Sequence, residues 1–367
     1  MHSQLPATVA MNKDAGRAQR IFVTLQLEDG KELPCIMDTG SPVTTLDQSL
    51  EPKLGKRCDT DSISAFDGKH EVGIYTAPKL YLGGTLLQHT GTNICTCDCK
   101  WLSTLCGRPV MGILGMDVLE HYCIQLDFAS RRIRFLDPDT PAKRLGQPFV
   151  LTGPPEEGIY ISNNLVGNKG SGSLTGIDLG CLGDGWLTPA LFQEWTNQAL
   201  PLVAGQVHCP DARLGGETYP EVWLDRGEPW ETGEPEHNGI GILFLSRHLV
   251  TLDFPKRTMY LKRTSIGPLR PNVKEVKAEA KSAVTLLRSL KKSGHLPGWS
   301  KDDQTVAKRA NFSYGSALTG SFTVRKIGDS SVYHFQVVRA SEESPWKLQK
   351  AWRTDAKGRL IEEYPVP

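Results

Sequence analysis

The sequence predicts a mainly β protein, built as two tandem β-barrel lobes followed by a smaller α+β module. Three observations carry this prediction. Strand-like runs at 21–27 and 33–37, separated by Asp29-Gly30, lead into the tight turn Asp38-Thr39-Gly40-Ser41. Residues 126–136 recur as 252–262, so a block of the chain repeats at a spacing of 126 residues. Composition then shifts near residue 268, from turn-rich strands to a basic, helix-patterned stretch. The 36 glycines and 24 prolines suit a body of many short strands joined by turns.

Residues 1–19 read as an N-terminal extension, and 20–140 as the first lobe. A turn placed directly after an apolar strand holds the Asp38 carboxylate on rigid backbone. Gly40 permits that turn and the close approach of another segment. Thr39 and Ser41 supply hydroxyls able to bond the carboxylate or its neighbour. In 62–75, Asp67-Gly68 is a hairpin dipeptide between strand-like runs. Gly112-Ile113-Leu114-Gly115 follows, then a short helical stretch and strands at 124–128 and 132–136.

The second lobe, 141–267, repeats this plan. At the repeat spacing Gly115 meets Gly241 and Leu119 meets Leu245. Upstream, Asp178-Leu179-Gly180-Cys181 is a second Asp-x-Gly turn, and Gly239-Ile240-Gly241 a second apolar-glycine loop.

Turn, hairpin and Ile-Leu-Gly loop, in this order, resemble the retropepsin-like branch of the aspartic peptidases. The tandem arrangement resembles the pepsin-like branch. The resemblance implies two acid-protease-type lobes and an aspartic-type endopeptidase that hydrolyses peptide or protein substrates with an activated water. Asp38 and Asp178 would be its dyad, supported by Thr39, Gly40, Ser41, Gly180 and Cys181. Ile113, Leu114 and Gly115, with Ile240 and Gly241, would be the loops threading beside the two turns. Phe66, Asp67 and Gly68 would form the tip of a flap, with 215–224 in the corresponding place of the second lobe. No cofactor or metal is implied. Single-lobe retropepsins dimerise to assemble two aspartates, whereas a duplicated chain supplies both, so a monomer is expected. One position departs from the pattern. The family has Thr or Ser after each aspartate and exchanges hydrogen bonds between them, but here the second copy has Leu179. That departure sustains a second reading, a non-catalytic peptidase-like protein that binds peptides or proteins.

A net charge of +1 gives no global attraction to nucleic acid. No apolar run approaches the 18 or so residues of a membrane span. Nine cysteines, four of them at 95, 97, 99 and 106, point to disulfides and an oxidising compartment. Residues 1–20 carry no apolar signal core, so an extracytoplasmic setting, favoured over a cytoplasmic one, requires a signal absent from this chain. Cys-x-Cys-x-Cys is not a zinc spacing. Cys181 reads as a small buried residue replacing a hydroxyl, Asp117 as a structural hydrogen-bonding residue, and His121 and His248 as helix-surface residues. Trp186, Trp223 and Trp230 read equally as cleft or core. In the C-terminal module, 268–367, a helix is expected over 273–292, then strands at 321–326, 331–340, 346–353 and 359–364. With no clustered catalytic residues, it reads as a module for a protein partner.

Overall fold

The structure is a computed structural model. It describes residues 5–366 except 7, 18, 66–67, 107, 138, 154–157, 163–164, 166–173, 198–201, 204–205, 210–211, 221, 228–236, 265–272, 315–317, 340–343 and 356–358. The chain divides into two compact units: Met1–Thr104 with Pro109–Leu269, and Leu105–Arg108 with Arg270–Pro367.

In the first lobe Ile21–Leu27 and Glu32–Met37 pair antiparallel, from Ile21 opposite Met37 to Gln26 opposite Glu32. Gly30 closes the hairpin at φ 80°, a left-handed conformation that glycine adopts without steric cost. Beyond Met37 the chain turns through Asp38 and returns as Thr45–Asp47. Gly112–Leu114 slots between these two segments, parallel to Cys35–Met37 and antiparallel to Leu46 and Thr45. A distant strand thus threads the wide loop that carries Asp38. The fit demands glycine: a Cβ on Gly115 would stand 2.5 Å from the Val43 carbonyl carbon. Met116 N–H then donates to the Ser41 carbonyl at 2.9 Å.

The second lobe repeats the threading. Asn238–Gly241 lies parallel to Thr175–Asp178 and antiparallel to Gly185 and Trp186. Ile242 N–H donates to the Cys181 carbonyl at 2.8 Å, the counterpart of Met116 on Ser41. From the aspartate to the apolar-glycine loop the second copy is 14 residues shorter than the first.

The lobes meet in a sheet that, among the described residues, has six strands. At its centre Cys123–Asp127 pairs antiparallel with His248–Asp253, and Gln125 faces Thr251, its own copy at the repeat spacing. The Gln125 amide donates to the Thr251 hydroxyl at 3.1 Å. Each copy's closing hairpin carries an arginine in the left-handed region, Arg131 at φ 56° and Arg257 at φ 48°. These two are also one repeat apart, so the duplication reaches down to single backbone angles. The segment ahead of Arg20 belongs to the fold: Val9–Ala10 pairs with Ile133 and Arg132, and Met11 and Ala15 are buried. A continuous apolar core runs through both lobes, from Met11 to Leu261.

The C-terminal unit packs the helix Val273–Ser293 with a meander whose order, among the described residues, is Thr305–Tyr314, Leu318–Lys326, Val332–Arg339, Lys347–Thr354, Leu360–Tyr364. Its core gathers Ala283, Trp299, Phe322, Phe335 and Val337. The strand Thr305–Tyr314 escapes the sequence reading because its charged and polar residues mask the period-two signal. Among the described residues no helix is long and apolar enough to cross a membrane.

Cysteine pairing is a correction. All nine cysteines remain thiols. The sulfurs of Cys97 and Cys99 are 4.0 Å apart, a thiol contact rather than a bond. Burial pushes Cys35 up, and Cys123 and Cys209 up to about 12, so these thiols behave as small apolar core residues.

Because backbone atoms surround Gly115, relief by side-chain movement is closed off. Gly115→Ala is expected to lower unfolding free energy by about 2–3 kcal/mol, read from the denaturant midpoint.

Candidate active site

Each aspartate stands at the end of the strand that its partner loop threads. Asp38 and Asp178 are both half-buried. The Gly40 N–H donates to Asp38 Oδ1 at 2.8 Å, and the Gly180 N–H donates to Asp178 Oδ1 at 2.7 Å. Cys181 N–H adds a second bond to Asp178 Oδ1 at 3.1 Å. Each turn presses on the opposite carboxyl: a Cβ on Gly40 would lie 2.8 Å from Asp178 Oδ1, and one on Gly180 2.7 Å from the Asp38 Cγ. Both positions therefore require glycine for contact across the lobes. The two carboxyls lie close enough for each to act on the other's ionisation.

Burial raises Asp38, against the bond from Gly40 and the charge of Arg20. Burial first, and the charge of Asp38 second, push Asp178 up to about 7. Two carboxylates about 3 Å apart cannot both ionise, a situation for which the aspartic peptidases are the stock example. The two carboxyls are coupled, so their titration belongs to the pair.

Beneath the dyad the lobes are joined by one hydroxyl. Thr39 Oγ1 donates to the Ile177 carbonyl at 2.7 Å and accepts from the Leu179 N–H at 3.0 Å. Thr39 and Leu179 are each 1% exposed. Leu179 has no hydroxyl to return these bonds, so the connection runs one way. Its side chain instead joins the apolar core.

The other supporting residues divide. Ser41 donates its hydroxyl to the Val43 carbonyl at 2.9 Å, bracing its own turn rather than the carboxylate. The Cys181 thiol lies against Gly241, and burial raises it well above the ordinary cysteine range, so it is not poised as a nucleophile. Ile113 and Leu114 pair with Ile36 and Met37, and Ile240 with Ile177, in the threading strands. Phe66 and Asp67 lie outside the described residues, whereas Gly68 opens the strand Gly68–Thr76, which pairs with Asp59–Ala65.

Asp117 takes the structural role expected of it. Its Oδ2 accepts from the Thr44 N–H at 2.8 Å and its Oδ1 from the Thr44 hydroxyl at 2.6 Å, and Thr44 Oγ1 accepts from Gly115 N–H. His89 Nε2 stands 2.9 Å from Asp117, which holds the imidazole pKa above its ordinary value. In the second lobe a buried ion pair does this work: Arg247 Nη1 donates to Asp184 Oδ1 at 2.7 Å, and Asp184 Oδ2 accepts from Trp223 N–H. Sequence reasoning missed Asp184, Arg247, Thr44 and Arg20. Asp184 and Thr44 occupy equivalent places after the two turns, a signal the repeat alignment contains.

Three further expectations change. His248 is not on a helix surface; it is buried, its Nε2 lies 2.8 Å from Tyr219 Oη, and burial lowers it to about 4. The 215–224 run does not form a second flap. Ala212–Leu214 and Glu217–Tyr219 make a hairpin that packs by Gly215 on Gln147 and by Tyr219 on Phe244 and His248. Trp186 lies flat on Gly239 and donates Nε1–H to the His237 carbonyl at 3.1 Å, so it supports the threading strand. Trp230 lies outside the described residues.

No protein-family model matches the chain, and no curated protein matches it. Among solved structures, basic 7S globulin from soybean is similar at a TM-score of 0.47 and 12% identity, over 72% of this chain and 97% of that one.

Two outcomes test the site without reference to activity. Thr39→Val strips a buried N–H and a buried C=O of their partners and is expected to cost about 2–4 kcal/mol, read by chemical denaturation. Asp178 has a raised native pKa, so its contribution to stability is full below about 4 and lost as pH climbs through about 7. Asp178→Asn should therefore match the parent melting temperature near pH 4. Its advantage should grow to a plateau above pH 7.

Proposed function

We propose that this protein is an aspartic-type endopeptidase. The observation that carries the reading is the contact between two carboxyls, Asp38 and Asp178, delivered by the duplicated Asp-x-Gly turns of one chain. A singly protonated pair supplies both chemical needs of amide hydrolysis. The ionised carboxylate takes a proton from a bound water as that water attacks the carbonyl carbon. The protonated carboxyl gives its hydrogen to the carbonyl oxygen as negative charge develops there. Collapse of the resulting diol breaks the C–N bond: the proton taken from water passes to the leaving amine, and one diol hydroxyl returns its proton to the other carboxyl.

Both halves are positioned by backbone N–H groups rather than by long side chains. Such groups cost little reorganisation when the transition state forms. The missing hydroxyl at Leu179 bears on how firmly the pair is locked, because rate depends steeply on placement. The hydrogen bonds Thr39 makes to both flanks of Asp178 support activity despite that loss. The substrate class is an extended peptide or unfolded protein, taken up beneath the hairpin Asp59–Ala65 and Gly68–Thr76.

Cleavage of an unfolded protein, followed by mass spectrometry, tests this reading. Asp38→Asn and Asp178→Asn are each expected to reduce kcat at least about 10³-fold. The parent's alkaline limb should fall near pH 7, where the pair loses its last proton. A parent protein with no turnover from pH 3 to 8, yet binding a transition-state-like aspartic peptidase inhibitor, would instead favour a peptide-binding role.

A further inference from the structure

The two turns are near copies, but the charges around them are not. Arg20 precedes the strand Ile21–Leu27, and the ladder that sets Ile21 against Met37 puts Arg20 at the register position opposite Asp38. In the second lobe Tyr160 faces Gly176 and Ile161 faces Thr175, so the position opposite Asp178 is Gly158. One aspartate thus has an arginine across from it, and the other has no side chain at all.

Arg20 is held in place. It is 8% exposed, and its carbonyl accepts from the Asn12 side-chain amide at 3.0 Å. That amide's oxygen accepts from Phe22 N–H, so the backbone on both sides of the arginine is anchored. Its Nη1 is buried and has no hydrogen-bond partner within the chain. A buried guanidinium without a bonded carboxylate is costly, and an anion within reach is what offsets it. Asp38 feels this charge through space. The second lobe brings no matching cation to Asp178. Beyond Cys181 stand Asp225 and Asp184, the latter matched by Arg247. The charge beside the pair is therefore a cation that acts on Asp38, with no such cation among the groups that shift Asp178.

We propose that Arg20 is a positioning residue that keeps Asp38 ionised and sends the shared proton to Asp178. This inference rests on the proposed function for its catalytic meaning. It assigns Asp38 as the base that takes the proton from water, and Asp178 as the acid that protonates the carbonyl oxygen. The duplicated chain thereby breaks a symmetry that two identical lobes would leave intact. Arg20 touches no reacting atom; it acts through Asp38.

The test reads each carboxyl alone, by ¹³C NMR of Asp-labelled protein. In Asp178→Asn, Asp38 titrates without its partner, and in Asp38→Asn, Asp178 does. With Arg20 present, Asp38 is expected to titrate at least one pH unit below Asp178. Adding Arg20→Gln should raise Asp38 by about one unit, should move Asp178 by less than half as much, and should be reversed by Arg20→Lys. In the active parent, Arg20→Gln should lift the acid limb of kcat/KM by a similar amount. Equal titration of the two carboxyls, or equal shifts on removing Arg20, would overturn the inference. The ordering in the two Arg20-containing variants decides the matter even where Arg20→Gln does not fold. If the order holds but no peptide is cleaved, the peptidase reading fails and the charge assignment stands; if cleavage occurs with the order reversed, the assignment alone fails.

Discussion

The Thr39 hydroxyl is the constraint on which the site depends. It is the side-chain group that crosses from one lobe to the other directly beneath the dyad, donating to Ile177 and accepting from Leu179. Those two residues flank Asp178, so a single oxygen sets the height and angle of the opposite carboxyl. A neutral hydrogen bond contributes only about 1 kcal/mol net, yet leaving both buried backbone groups bare costs several times that. The asymmetry explains why one side of the exchange can be given up to Leu179. Leucine gives up the returning hydroxyl, while its own N–H still donates to Thr39 and its side chain adds apolar contact.

Glycine provides the second requirement. Each carboxyl sits where the opposite turn has no side chain, and each threading strand ends at a glycine pressed against backbone. The loops are thereby locked at distances that no larger residue permits. Behind them the lobes use different chemistry for one mechanical task. The first ties its turn to the threading segment through Asp117 on Thr44, and the second does so through Asp184 and Arg247. The buried ion pair carries a larger desolvation cost and more severe consequences if one member is lost. The two lobes thus share a geometry but hold it with different side chains.

The mainly β architecture was legible because its strands alternate and because turn residues punctuate them. The repeat was legible through Leu126-Asp-Phe and Leu252-Asp-Phe, whose copies become neighbours at the centre of the inter-lobe sheet. The pattern failed where a strand is rich in polar and charged residues, as at Thr305–Tyr314, and where burial depends on distant partners, as at His248. Cysteine count misled for the same reason: spacing along the chain does not say whether two sulfurs face each other.

By itself, the sequence determined the local events: two aspartates on glycine turns after apolar strands, a hairpin signal between them, and a repeat that implies a pair of lobes. These are short-range properties, set by backbone sterics and residue periodicity. Only the tertiary structure decided what those pieces do to one another. It brought Asp38 and Asp178 each against the opposite lobe's turn, assigned both bonds of the crossing to Thr39, turned Ser41 away from the carboxylate and set Arg20 opposite Asp38 and Gly158 opposite Asp178. Register, burial and through-space charge depend on which strand lies beside which. Those neighbours are 138 to 140 residues apart at the crossing, too far for any local pattern to encode.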